Sequence, residues 1–342
     1  MPVSQWPKLF RRPERVSGRS REQGLALVVV VYDMRQQAER TIYSLTSRYQ
    51  QGVTEDDYEV IIVENRSDRT LSADFVEGLP DNFSYHLRHE TQPTPVHAAN
   101  FGVRMSRRSH TAVLIDGARM VTPGVVKNLL RGHRMHRDSV VSVPGYHLGR
   151  QLQQRAVEHG YGVEQESRLL SSVNWPEDGY ALFDIACFSG SCAGGLFRAH
   201  SESNCISLPR HLWQELEGLD TRFDQVGGGL VNLDFYKRAC ELQGITHVVL
   251  VGEGTFHQFH GGVTTGGVER RARAALLEDF QEQYQSLRGG KFEPPESEPV
   301  FLGEIPPQLM RFLRVSSQES PSAGVQQDAV PERPNVRLIG DT

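Results

Sequence analysis

Leu25-Ala26-Leu27-Val28-Val29-Val30-Val31 is an unbroken apolar run rich in β-branched residues, the pattern of a strand covered on both faces. Tyr58-Glu59-Val60-Ile61-Ile62-Val63 repeats it after a polar, helix-like stretch over 36–49, so the chain opens with a βαβ unit. The same patterning predicts strands at 83–88, 111–115, 139–143 and 246–251, and helices at 95–107, 123–137, 208–217 and 230–243. Strands alternating with helices predict an α/β fold with a mostly parallel central sheet and right-handed crossovers. Between 146 and 187 the pattern gives way to a polar stretch with Gly, Trp and other aromatic residues, too long for a routine loop. It reads as an insertion, a substrate lid or an acceptor region. From 290 onward Glu293-Pro294-Pro295-Glu296-Ser297-Glu298-Pro299 opens a Pro- and Ser-rich segment expected to be largely disordered as far as 342, apart from an apolar patch near Leu309 to Val315. The expected organisation is a basic tail over 1–23, one domain over 24–289 and a C-terminal tail over 290–342.

Composition narrows the function classes without choosing one. With 342 residues, 38% hydrophobic content and a formal net charge of −5, the chain is an ordinary globular protein with no global field to attract nucleic acid. Basic residues concentrate at Lys8, Arg11, Arg12, Arg15, Arg19 and Arg21, a solvated tail that suits contact with an anionic membrane surface. The first residues lack the apolar core of a signal peptide, and the run Leu25 to Tyr32 is far short of a membrane span. A cytoplasmic protein is expected, peripheral at the inner face of the membrane if it touches one. Cys187, Cys192, Cys205 and Cys240 form no C-x-x-C pair and are expected to be reduced, buried thiols.

The chemistry gathers at two places. The strand at 111–115 runs into Asp116-Gly117-Ala118-Arg119 and then a helix start at Thr122-Pro123, which puts a carboxylate at the C-terminal end of a strand, where open α/β sheets bind ligands. The polar cluster Gly252-Glu253-Gly254-Thr255-Phe256-His257-Gln258-Phe259-His260-Gly261-Gly262 follows a later strand and is expected to open onto the same cleft. The first strand-to-helix turn, Tyr32-Asp33-Met34-Arg35-Gln36, carries neither G-x-G-x-x-G nor G-x-x-x-x-G-K-[ST], which argues against dinucleotide dehydrogenases and P-loop NTPases. The second strand ends in Val63-Glu64-Asn65-Arg66-Ser67-Asp68, and the third crossover carries Ala98-Ala99-Asn100-Phe101-Gly102.

In this order the features resemble the family-two glycosyltransferases, which have the nucleotide-diphospho-sugar transferase (GT-A) fold. The resemblance covers about residues 25 to 270. Val63 to Asp68 matches the family's V-D-N-x-S-x-D, Ala98 to Gly102 its A-R-N-x-G with Ala99 for Arg, and Asp116-Gly117-Ala118 its D-x-D with Ala118 for the second acid. Gly218-Leu219-Asp220-Thr221-Arg222-Phe223 matches G-G-F-D-E, and Gly228 to Arg238 matches G-G-E-D-x-D-L-x-x-R with Val231-Asn232 where the acids stand.

The resemblance implies that Tyr32, Glu64, Asn65, Asp68 and Asn100 bind the nucleotide sugar, and that Asp116 and His260 hold a divalent cation, Mn2+ or Mg2+, with His257 behind them. Arg119, next to the missing second acid, is expected to bring charge to the diphosphate, since a guanidinium matches phosphate oxygens in a fork. Asp234 is the expected general base, with Asp220, Asp224 and Glu253 as the other candidates, although Asp234 also faces Arg238 at i, i+4. The loop Ser189 to Gly195 offers backbone donors near a phosphate or sugar, and Trp175 and Tyr180 offer rings for an acceptor sugar. The expected function is sugar transfer from a nucleoside diphosphate donor to a glycan, lipid or protein hydroxyl, with inversion. The alternatives are a catalytically silent nucleotide-sugar-binding or scaffold protein of the same fold, and a zinc hydrolase using Asp116, His257 and His260.

Overall fold

A computed structural model describes residues 23–262 and 270–317, and within them the βαβ opening is as expected. Strand β1 (Leu25–Tyr32) lies parallel to β2 (Tyr58–Asn65) on one side and to β4 (His110–Leu114) on the other, with β3 (Phe83–Arg88) beyond β2. Side chains alternate along β1 as the both-faces pattern requires. Leu25, Leu27, Val29 and Val31 enter one apolar core, and Ala26, Val28 and Val30 enter the other. Helices α1 (Arg35–Ser44), α2 (Ala73–Glu77) and α4 (Val125–Met135) cover the first face, while α3 (Val96–Met105), α7 (Arg210–Glu215), α8 (Val231–Cys240) and α9 (Arg270–Arg288) cover the second. Gly102 of α3 explains the run of small residues there: a Cβ on it would lie 2.3 Å from Val28 Cγ1, so the crossover packs directly on β1.

The sheet continues past β4 through β9 (Cys205–Pro209), β6 (Ser139–Ser142), β10 (Thr246–Leu250) and β12 (Val300–Leu302), giving eight strands in the order β12-β10-β6-β9-β4-β1-β2-β3. β9 runs antiparallel to both its neighbours, and the other pairings are parallel. It sits where a helix starting at 208 was expected. The helix begins only after Pro209, because the apolar Cys205–Pro209 segment is drawn into the sheet.

A second sheet of four strands, in the order β5-β11-β7-β8, consists of β5 (Arg119–Val121), β11 (Thr255–His257), β7 (Gly145–Leu148) and β8 (Ala186–Phe188). The expected insertion supplies β7 and β8 and, between them, α5 (Gln153–Ala156) and α6 (Val163–Ser171). The segment after 290 departs from its reading as tail. Val300–Leu302 pairs with β10, and α10 (Met310–Ser316) sets Phe312 beside Tyr146 and Phe183 of the small sheet's own core. Order there comes from borrowed apolar surface rather than from the segment's own composition. Residues 318–342 lie outside the described residues. Among those described, no helix is long and apolar enough to cross a membrane.

Candidate active site

β4 ends at Leu114, and two residues later Asp116 turns the chain. Its Oδ1 accepts the Ala118 N–H at 2.9 Å, and a Cβ on Gly117 would lie 2.7 Å from the Val30 carbonyl oxygen, so the turn is pressed against the end of β1. The chain then enters the small sheet as β5, where Arg119 pairs in register with His257 of β11, and His257 with His147 of β7. The two polar clusters therefore do meet.

His257 Nε2 lies 3.1 Å from Asp116 Oδ2 and 3.2 Å from His260 Nε2, and His260 Nε2 lies 3.7 Å from Asp116 Oδ1. One ligand atom from each of the three residues lies within 4.8 Å of the others. Gln153 fixes the chemistry of the central imidazole. Its Nε2 donates to the His257 carbonyl at 3.0 Å, so its Oε1 is the atom that accepts from His257 Nδ1. The Nε2 of His257 then faces the Asp116 carboxylate and the Nε2 of His260. Burial pushes the His257 imidazole down to about 4 against the pull of Asp116, leaving it neutral and fit to ligate. Burial works against the charge of Asp116 too, but His260 and Arg119 beside it help to outweigh that and hold the carboxyl well below its usual range. Two imidazoles and a carboxylate suit manganese, iron or zinc better than magnesium, which takes oxygen ligands.

The loop carrying these histidines is held from both sides. Glu166 of α6 accepts the Phe259 N–H at 2.6 Å and the Tyr161 hydroxyl at 3.1 Å, and burial raises its carboxyl to about 7. Gln37 of α1 donates to the Phe259 carbonyl at 2.6 Å, and Gln258 donates back to the Gln37 carbonyl at 3.0 Å. Arg119 is only 7% exposed, yet its Nε and Nη1 make no hydrogen bond, and Asp116 Oδ2 stays 3.6 Å away. The Ser189–Gly195 loop lies alongside. A Cβ on Gly145 would sit 2.9 Å from Ser189 Oγ and 4.0 Å from Arg119 Nη1, and Cys192 Sγ accepts the Gly145 N–H at 3.3 Å.

The nucleoside end divides. Tyr32 closes β1 at 58% exposure, in register with Asn65, whose buried Oδ1 has no partner, and Asp68 is exposed just beyond. With Asp116 they line the C-terminal ends of three adjacent parallel strands. Glu64 does not join them. It is wholly buried, and its carboxylate accepts the Leu71 N–H at 3.1 Å and the Tyr85 hydroxyl at 2.7 Å, shaping the loop after β2 rather than meeting a ligand. Asn100 is corrected likewise: its amide donates to the Leu219 carbonyl at 2.8 Å and accepts the Leu219 N–H at 2.9 Å, bracing the turn at Gly218, where φ is +71°.

The expected bases are also engaged elsewhere. Asp234, 1% exposed, accepts from Arg238 Nε at 2.9 Å and from Arg288 Nε and Nη2 at 2.6 and 2.8 Å, while Asp220 is paired with Arg222 and Arg288. The bond from Arg222 is the largest influence holding the Asp220 carboxyl below its usual range. Both residues tie α8, α9 and the 218–223 turn together. Glu253 is buried and accepts from Thr122, Asn128 and Tyr180, which makes it structural as well, and one oxygen of the exposed Asp224 accepts from Gln283. Trp175 donates to the Tyr49 hydroxyl at 3.3 Å and packs edge-on against Tyr43 and Tyr49, which makes it an anchor of the insertion rather than a sugar platform. Asp234→Ala is accordingly expected to lower stability by about 3 kcal/mol, by removing the buried carboxylate that Arg238 and Arg288 share, while leaving nucleotide affinity unchanged. Urea unfolding and nucleotide titration of the same preparation check both halves.

The fold so described is α/β, with a largely parallel central sheet and the polar site at the C-terminal ends of its middle strands. No family model matches the sequence, and no curated protein matches it. Among solved structures it is similar to the mannosyltransferase PcManGT from Pyrobaculum calidifontis in complex with GDP-Man and Mn2+, at 14% identity and a TM-score of 0.49 over 92% of this chain and 75% of that one. It is similar also to S. aureus TarS 1–349 in complex with UDP-GlcNAc, at 12% identity and a TM-score of 0.46 over 77% of this chain and 73% of that one.

Proposed function

We propose that the protein is a glycosyltransferase that takes a sugar from a nucleoside diphosphate donor and passes it to an acceptor hydroxyl with inversion. One observation carries the reading: a carboxylate, two imidazoles and a buried guanidinium with two unused donor nitrogens converge beside the exposed ends of β1 and β2. Asp116, His257 and His260 would hold the divalent cation. When bound, it supplies positive charge to the leaving diphosphate. Arg119 contributes a second positive charge through Nε and Nη1, which make no hydrogen bond within the protein. Tyr32 offers its ring, and Asn65 its unpaired amide oxygen, to the base or ribose, with Asp68 close by. Gln153 keeps His257 in the ligating tautomer, and Glu166 with Gln37 keeps the histidine loop from moving when charge redistributes.

The rival reading, a nucleotide-sugar-binding protein without turnover, is favoured by the loss of the second D-x-D acid at Ala118 and by the ion pairs that occupy Asp220 and Asp234. Calorimetric titration with UDP, GDP and dTDP, each with and without manganese, followed by a donor panel, separates the two. Manganese-dependent binding of one nucleotide together with sugar transfer is expected. Binding without transfer from any donor would leave the silent reading standing, and no binding in either condition would remove both.

A further inference from the structure

Asp234 and Asp220 are spent in ion pairs, but the position where an acid is missing has a partner of its own. Asn232 lies in the first turn of α8, and its Nδ2 donates to Glu202 Oε2 at 2.6 Å and to the Ser203 carbonyl at 3.3 Å. Glu202 arrives from a different element, the stretch leading into β9. Because β9 is antiparallel to β4, with Cys205 opposite Leu114, the chain passes Glu202 at the edge of the sheet where β4 gives way to Asp116. The Ser201 N–H donates to the Ser191 carbonyl at 3.1 Å, tying this stretch to the loop whose Ser189 flanks Arg119. Glu202 is half-buried, and among the described residues nothing donates to its Oε1. A carboxylate with one oxygen steadied by an amide and the other without a donor is equipped to take a proton.

We propose that Glu202, steadied by Asn232, is the general base of the transfer, a role that rests on the transferase reading above. The proton of the acceptor hydroxyl passes to Glu202 Oε1 as the acceptor oxygen forms its bond to the anomeric carbon. The bond from that carbon to the diphosphate oxygen breaks, and its electron pair leaves with the diphosphate toward Arg119. The acid lost from α8 is thus replaced from the stretch that leads into β9, with Asn232 kept as its holder.

Glu202→Gln tests this with little change of shape, since the glutamine oxygen still accepts from Asn232 and only proton acceptance is lost. With the donor that the panel identifies, kcat is expected to fall about 10²- to 10⁴-fold while the donor KM and the nucleotide Kd stay within about twofold of wild type. Glu202→Asp should recover part of the rate. Turnover of Glu202→Gln within about threefold of wild type would overturn the role, and so would an equal loss of nucleotide affinity, which would make Glu202 a structural partner of Asn232. In either case a wild-type protein that transfers sugar leaves the transferase reading intact, whereas a wild-type protein that binds nucleotide without transfer removes that reading and the role of Glu202 with it.

Discussion

Asp116→Asn is expected to reduce sugar transfer by about 10³-fold or more, which corresponds to about 4 kcal/mol of transition-state stabilisation. The substitution leaves the turn intact, because an asparagine oxygen still accepts the Ala118 N–H that Asp116 Oδ1 now takes at 2.9 Å. What disappears is the one negative charge in a donor set whose other members are the neutral His257 and the neighbouring His260. Manganese affinity should therefore collapse together with the manganese-dependent part of nucleotide binding. Calorimetry with manganese alone checks the first half independently of turnover. A variant that bound manganese as wild type does would reject the assignment of Asp116 as a ligand.

Arg119→Met is expected to move stability and function in opposite directions. The guanidinium is buried with Nε and Nη1 unsatisfied, and each such donor costs about 1–3 kcal/mol of lost hydration. Its ion pair with Asp116 is long at 3.6 Å, and Asp116 keeps the Ala118 N–H and the two imidazoles when the arginine is removed. The methionine protein without ligand should accordingly be more stable by about 1–3 kcal/mol. Its affinity for the nucleoside diphosphate should fall about 10- to 100-fold, the worth of hydrogen bonds from a charged donor. Urea unfolding and nucleotide titration read the two effects separately. A loss of stability in the unliganded protein would mean that Arg119 is a structural cation with partners of its own.

The central sheet was legible because strands covered on both faces must be apolar without interruption, as β1 and β2 are. The small sheet was not: β5 and β11 span only Arg119–Val121 and Thr255–His257, too short to show a period, and their pairing joins segments far apart in sequence. Helix α9 is a different omission, since Leu276, Phe280, Tyr284 and Leu287 recur at helical spacing on its buried face and were there to be read. Asp116, Arg119 and the two histidines came from strand context and from the family resemblance, but Gln153 and Glu166 belong to no local motif, and their roles exist only once the insertion packs on the histidine loop. Glu64 carried a signal that was overlooked. It shares the alternation of Val60 and Ile62, which enter the first core, whereas Asn65 shares that of Ile61 and Val63. Strand parity puts the two on opposite faces of the sheet and sets Glu64 on the side of Leu71 and Tyr85, which hold its carboxylate.

Phe312 of α10 meets Tyr146 edge-on at 5.0 Å, and Tyr146 stacks on Phe256 at 5.4 Å, one residue before His257. The end of the described chain and the histidine pair thus stand at two ends of one stack of aromatic rings. A shortened protein ending near 290 would take the bottom ring out of that stack together with the edge strand β12 of the main sheet, and the spacing of the imidazoles would loosen with the ring. Trimming this protein to an apparent domain boundary is therefore a way of detuning its ligand site from behind.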